Sequence, residues 1–250
     1  MIDEGTPKAS FKIPKATVVI GLILLALGYF IGNTIPIGNN FQSNPQYATI
    51  TKTVGSPDQT TKKISGSVNF EVPSYAKFQG DGSAKINLVE FGDYQCPFCE
   101  KFFQYTEPQL MKDYINTAKA KFYFLDFVIV GQDSLTLTQG AWCADEQGKY
   151  YEYHDYVYSH QRQENTGWGT SDKVKFFAGN IPGLDVKEFG TCLDSKKYAS
   201  RAQELTQMAQ NLGATGTPTL FIGNSETGYT KITGAQPYSV YTQVIDKYLQ

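Results

Sequence analysis

Hydropathy divides the chain into three parts. Ala16 to Ile31 (ATVVIGLILLALGYFI) is an uncharged, strongly apolar run without an amphipathic stripe, and weaker apolar residues continue to Ile37. As a helix, Ala16–Ile31 would be roughly 24 Å long and the stretch to Ile37 about 33 Å, against a bilayer hydrocarbon core of about 30 Å. Residues 38–62 (GNNFQSNPQYATITKTVGSPDQTTK) are rich in Asn, Gln, Ser, Thr, Pro and Gly. They hold too little apolar surface to offset the entropy of ordering, which predicts a flexible tether with a reach of roughly 25–30 Å. Regular hydrophobic patterning begins after it and defines one globular domain over 63–250.

Within that domain Lys85–Phe91 (KINLVEF) reads as a strand. Proline is well tolerated at the first position of a helix, so Pro97 predicts a helix start there with Cys96 as its N-cap. Apolar residues at Phe98, Phe102, Phe103, Leu110, Met111 and Tyr114 continue the helix, and Pro108 is expected to kink or break it. Lys121–Val130 (KFYFLDFVIV) has the β-branched and aromatic content of a buried strand, completing a βαβ unit. Residues 132–212 read as helical throughout, closed by Gly213. Thr219–Ile222 and Tyr229–Thr233 form a hairpin across GNSETG, and a last helix runs from near Pro237 to Leu249.

Charge sets orientation and excludes one class of partner. The formal net charge is −2, and Arg162 and Arg201 are the only arginines, so no basic surface argues for nucleic acid. Lys8, Lys12 and Lys15 precede the apolar run, and the next lysine is Lys52. By the positive-inside rule residues 1–15 stay in the cytoplasm, 16–37 anchor the chain in the lipid bilayer, and the rest is exported. The expected location is the cell membrane, single-pass, with the globular domain extracytoplasmic. No A-x-A site follows the apolar run, which favours an anchor over a cleaved signal peptide.

The chain has 4 cysteines: Cys96, Cys99, Cys143 and Cys192. Three readings compete for Cys96 and Cys99. Zinc needs about four ligands, yet Cys143 and Cys192 are distant in sequence and His154 and His160 are the only histidines, so no metal is expected. A purely structural bridge would close so small a loop that it constrains the unfolded chain little. The redox reading explains the position: at a helix N-terminus, unsatisfied N–H groups and the helix dipole favour a thiolate. Cys96 is then the nucleophile and Cys99, one turn in, the resolving thiol.

A strand ending in VEFGDYQ, followed by CPFC opening a helix, resembles the active site of thioredoxin-fold thiol–disulfide oxidoreductases. The segment GATGTPTLFIG (213–223) is similar to the loop carrying the cis-proline of that superfamily, and AWCADEQGKYYEYHDYVY and CLDSKKYA resemble its DsbA-like branch. The resemblance covers about residues 63–250. It implies an α/β, thioredoxin-like fold: a central mixed sheet flanked by helices, with an inserted α-helical domain at about 132–212 and the transmembrane helix in front. It also implies a catalytic Cys96–Cys99 pair with no cofactor beyond that redox-active disulfide. Pro218 would be the cis-proline facing the pair. Substrate would be held by backbone at Thr217, with Pro97 and Phe98 beside it. Glu90 matches an acidic residue beneath the active site, where a carboxylate with a raised pKa would relay the proton of Cys99. Many members have histidine where this chain has Phe98, and an apolar ring does not stabilise a thiolate, so the strength of oxidation stays open.

The expected partners are reduced or misoxidised exported proteins and a membrane protein, of quinone-linked kind in the family, that reoxidises or reduces the pair. Disulfide formation is the favoured direction. Reduction or isomerisation, a non-catalytic chaperone module and Cu(I) delivery are the alternatives. Cys143 and Cys192 lie in two predicted helices without partners at C-x-x-C spacing, which favours a structural disulfide over a second redox pair or two free thiols. His154 reads as a packed helix residue, and tyrosines at 150, 151, 153, 156 and 158 cover enough of one helix to meet neighbouring surfaces.

Overall fold

The computed structural model describes residues 67–250; the predicted tail (1–15), anchor (16–37) and tether (38–62) lie outside the described residues. Two short strands, β1 (Ser67–Val68) and β2 (Phe78–Gln79), precede the long strand β3 (Ile86–Gly92). Leu88, Val89 and Phe91 are fully buried, so β3 carries apolar residues on both faces rather than in alternation, the pattern of a strand covered on both sides. It runs parallel to β4 (Ala120–Asp126) and antiparallel to β5 (Thr219–Asn224), and β5 forms a hairpin with β6 (Gly228–Thr233). The mixed sheet has the order β1-β6-β5-β3-β4-β2. β1 and β2, each two residues long, escaped the sequence reading because so short a segment has no periodicity.

β4 stops at Asp126 rather than at Val130. Phe127 N–H still bonds Gly92 O at 2.8 Å, but the N–H groups of Ile129 and Val130 both turn to the Asp93 carboxylate, each at 2.9 Å. Helix α1 (Pro97–Tyr105) follows β3, and the chain then bends at Thr106 (φ −109°) into α2 (Glu107–Leu110) and a π-helical turn, Met111–Ile115. Pro108 sits within the first turn of α2, where its missing N–H is tolerated, and the break falls just ahead of it.

The helical stretch resolves into α3 (Gln132–Asp145), α4 (Tyr150–Ser159), α5 (Ser171–Ala178), α6 (Val186–Asp194) and α7 (Ala199–Asn211). The expectation of helix throughout 132–212 fails at 146–149, 160–170, 179–185 and 195–198. The first divides a stretch expected to be one helix, and the longest is a loop in which Asn165 (φ 55°) and Gly167 (φ 77°) take left-handed backbone. Gly213 (φ 74°) closes α7, and α8 (Tyr238–Tyr248) follows Pro237. Gly140 of α3 lies so close to the Tyr153 ring of α4 that a Cβ would overlap the tyrosine hydroxyl.

The α4 tyrosines account for the aromatic density of that helix. Tyr150 donates to Phe124 O, Tyr151 to Lys77 O and Phe122 O, Tyr153 to Leu137 O and Tyr158 to Asp93 O. Each ring buries apolar area while its hydroxyl satisfies a backbone carbonyl. A disulfide joins Cys143 of α3 to Cys192 of α6, with 5.8 Å between the Cα atoms. No helix among the described residues is long and apolar enough to cross a membrane.

Candidate active site

The segment between β3 and α1 is held by side chains rather than by regular structure. The Asp93 carboxylate accepts from Gln95 N–H at 2.9 Å as well as from Ile129 and Val130. Gln95, itself fully buried, donates through Nε2 to Ser134 Oγ at 2.8 Å and accepts Asn165 N–H on Oε1 at 2.7 Å. From the far side Gln161 Nε2 donates to Tyr94 O at 2.8 Å and to Cys96 O at 3.1 Å. The approach to the cysteines is therefore bonded directly to the helical block.

Cys96 is the N-cap of α1, with extended backbone (φ −71°, ψ 120°) and Pro97 just inside the helix. Its carbonyl accepts the N–H groups of Cys99 and Glu100, both at 3.1 Å. Cys96 keeps 6% exposure and Cys99 1%, whereas Pro97 and Phe98 face solvent, Phe98 at 59%. Of the two sulfur-bearing residues Cys96 is thus the less enclosed. Neither cysteine is in a disulfide.

The loop before β5 closes the site from the other side. The Thr217–Pro218 peptide is cis, and Thr217 O lies 3.4 Å from Cys96 Sγ. Thr219 Oγ1 donates to Gly216 O and Gly234 N–H to Pro218 O, both at 2.7 Å, which fixes the loop on the sheet. Beneath the pair Glu90 is 1% exposed and lies opposite Phe124 on β4 and Leu220 on β5.

The two thiols are driven apart electrostatically. The hydrogen bond from Cys99 is the largest influence on Cys96 and lowers its pKa to about 6. Burial opposes this, and the Thr217 side chain and the N–H groups of Cys99 and Phe98 reinforce it. Cys99 is pushed well up, first by burial, then by the hydrogen bond it gives Cys96 and by the charge of Glu90. Glu90 is likewise raised well above the carboxylate range, by burial first and by Cys96 second. A thiolate at Cys96 beside a neutral Cys99 and a neutral Glu90 is the resulting arrangement near neutral pH.

The structure thus gathers Cys96, Cys99, Glu90, Thr217, Pro218, Pro97 and Phe98 around one point, and sets Cys143 and Cys192 in the helical block. Sequence reasoning missed Asp93, Gln95 and Gln161. Asp93 carried a local signal, an aspartate two residues before the N–H it accepts, which is an Asx-turn pattern. Gln161 carried none, since its acceptors lie 65 and 67 residues away.

A dithiol at the start of a helix, faced by a cis-proline loop on a mixed sheet, defines a thioredoxin-fold protein. A family model described as thioredoxin matches residues 74–247, and the chain belongs to that family. Among its relatives, the probable disulfide bond formation protein D of Bacillus anthracis is 28% identical over 149 residues, covering 58% of this chain and 69% of the relative. The disulfide bond formation protein D of Bacillus subtilis is 24% identical over 148 residues, covering 58% and 66%. The crystal structure of oxidised BdbD from Bacillus subtilis matches with a TM-score of 0.63 at 22% identity, over 69% of this chain and 91% of that one. Family and relatives together make the chain a thiol–disulfide oxidoreductase of the thioredoxin family.

Proposed function

We propose that the chain is a membrane-anchored, extracytoplasmic oxidase that introduces disulfides into exported proteins through Cys96-Pro97-Phe98-Cys99. The observation that carries this reading is the placement of the pair: Cys96 caps α1 with Thr217 O of the cis-proline loop 3.4 Å from its sulfur, and Cys99 is buried one turn in. The hydrogen bond from Cys99 therefore holds the Cys96 thiol down, and burial holds Cys99 up. Stabilising one thiolate of the reduced pair makes the disulfide more oxidising.

In the reaction a substrate thiolate attacks Cys96 Sγ of the Cys96–Cys99 disulfide. A substrate–Cys96 bond forms, the Cys96–Cys99 bond breaks, and Cys99 leaves with the electron pair and takes a proton, for which Glu90 is the nearby donor. A second substrate thiolate then attacks the substrate sulfur of the mixed disulfide and expels Cys96 as a thiolate. The substrate is oxidised by two electrons, which remain on the dithiol until a membrane partner removes them. Phe98 and the backbone at Thr217, beside Pro218, line the approach for the substrate. The Cys143–Cys192 bridge supports an oxidising compartment, and the uncharged run at 16–37 with lysines ahead of it supports the anchor and its orientation.

The test is oxidative refolding of a reduced substrate with the equilibrium potential measured alongside. The parent is expected to restore substrate activity and to lie nearer about −120 mV than about −270 mV. Cys96→Ser is expected to be inactive. A potential near the lower figure would make the chain a reductase, and activity unchanged in Cys96→Ser would reduce it to a binding module.

A further inference from the structure

Building on the disulfide exchange proposed above, we infer that the open pocket beside Cys96 is a subsite for a lysine or arginine side chain of the substrate, one or two residues from its reacting cysteine. The pocket lies between the start of α1 and residues 161–165 and has a volume of about 550 Å³. Gln95 and Pro97, the neighbours of Cys96 on either side, both line it, and Cys96 itself does not. It therefore suits a residue near the substrate cysteine rather than the cysteine. An extended substrate advances about 3.3 Å per residue, so a long side chain close to the cysteine spans the gap.

The chemistry of the walls decides the class. The loop turns its donors onto the domain itself: Gln161 Nε2 to Tyr94 O and Cys96 O, Asn165 Nδ2 to Val130 O, and Asn165 N–H to Gln95 Oε1. These bonds hold that wall against the segment carrying Cys96. Oxygens are what remain for a ligand. With its Nε2 committed, Gln161 offers Oε1, and the half-buried Glu100 and exposed Glu164 add two carboxylates. Glu100 accepts Gln104 Nε2 on Oε1 at 2.9 Å, which leaves Oε2 open. Among the described residues neither carboxylate is in an ion pair. Arg162 is the one cation of the lining, so two carboxylates stand against one guanidinium. A cationic donor fits such acceptors through charge-assisted hydrogen bonds, and an acidic side chain is repelled.

The placement couples recognition to the reaction. Cys96 caps α1, and Glu100 lies in the first turn of the same helix. A cation held at Glu100 keeps the substrate cysteine near Cys96, which speeds its attack without changing the driving force of the exchange.

The experiment mixes the oxidised, full-length chain with single-cysteine peptides that differ only in lysine, glutamine or glutamate beside the cysteine. Rapid quench and mass spectrometry quantify the mixed disulfide. In that step the peptide thiolate bonds to Cys96 Sγ and the Cys96–Cys99 bond breaks, the electron pair and then a proton going to Cys99. Each rate is divided by the same peptide's rate with a small-molecule disulfide, which removes the peptide's own thiol reactivity. The parent is expected to favour lysine over glutamate by about tenfold, and by less at high salt. Glu100→Gln and Glu164→Gln are each expected to cut that preference by about threefold. Arg162→Gln, which removes the opposing charge, is expected to widen it. Glu226→Gln, in the turn at the far end of β5, is expected to keep the parent's preference. Equal normalised rates in the parent, or a preference unmoved in both glutamate variants, would overturn the subsite. A glutamate preference that Arg162→Gln abolishes would overturn it in favour of acidic substrates. No reaction with any peptide would overturn the oxidase reading as well.

Discussion

The sulfur of Cys96 lies 3.4 Å from the carbonyl oxygen of Thr217, a residue 121 positions further along the chain. This contact joins the start of α1 to the proline loop, so the reactive sulfur is positioned by two segments that meet only in the folded domain. While protonated, Cys96 gives its hydrogen to that carbonyl. Once ionised it is served instead by donors: Cys99 first, then the Thr217 side chain and the N–H groups of Cys99 and Phe98.

Removing those donors should return Cys96 toward an ordinary thiol. Cys99→Ala is expected to raise the Cys96 pKa, and Thr217→Val to raise it by less, in the order of their influence. Ultraviolet absorbance of the thiolate as a function of pH checks both. An unchanged midpoint in Cys99→Ala would show that the helix terminus alone sets the value.

Asp93 holds the loop before the cysteines through three N–H groups. Hydrogen bonds to a charged acceptor contribute about 1.5–3 kcal/mol each, and truncation strands the donors. Asp93→Ala is therefore expected to cost at least about 3 kcal/mol, with Asp93→Asn milder because its amide oxygen still accepts. Urea denaturation of the two variants measures the difference.

How far this architecture was legible in the sequence depends on how local each signal is. β3 and the start of α1 were legible because an apolar run and Pro97 act within a few residues. The end of β4 was not, because Ile129 and Val130 have ideal strand chemistry and leave the sheet only when Asp93, 36 and 37 residues earlier, captures their N–H groups. The 161–170 loop was likewise hidden: Gln161, Asn165 and Asp133 bind it to the segment before the cysteines and to the start of α3. At the site, residue types and spacing pointed to Cys96, Cys99 and Pro218. The burial of Glu90 was undecided in one dimension and became definite once β4 and β5 flanked it.

Asp126, at the end of β4, is pushed up to about 7 by burial, against the hydrogen bonds of Trp142 and Thr138. In the unfolded chain its value is the ordinary 3.8. Between these values the folded protein keeps a proton that the unfolded chain has lost. Stability from this group is therefore complete below about pH 4 and declines until about pH 7, by up to about 4 kcal/mol. Glu90 and Glu107, also raised by burial, act in the same direction. Asp126→Asn, which keeps an acceptor for Trp142, is expected to gain on the parent as pH rises from 4 to 8. Denaturation midpoints across that range test it; a constant difference would contradict it.

Glu90→Gln keeps the size of the buried side chain and removes its proton chemistry. If Glu90 exchanges the proton of Cys99, attack of Cys99 on a mixed disulfide should slow by about a hundredfold near neutral pH. The attack of Cys96 on a disulfide should change much less. Rapid-quench kinetics with a single-cysteine peptide separates the two steps, and equal slowing of both would assign Glu90 a structural role alone.

The most direct test of Cys96 as the stabilised, attacking thiol is the pH profile of its alkylation in the fully reduced, full-length chain, with the modified cysteine located by mass spectrometry. Modification is predicted at Cys96 first, with a midpoint near 6. A midpoint near 9, the unperturbed thiol value, or equal labelling of Cys99, would contradict it.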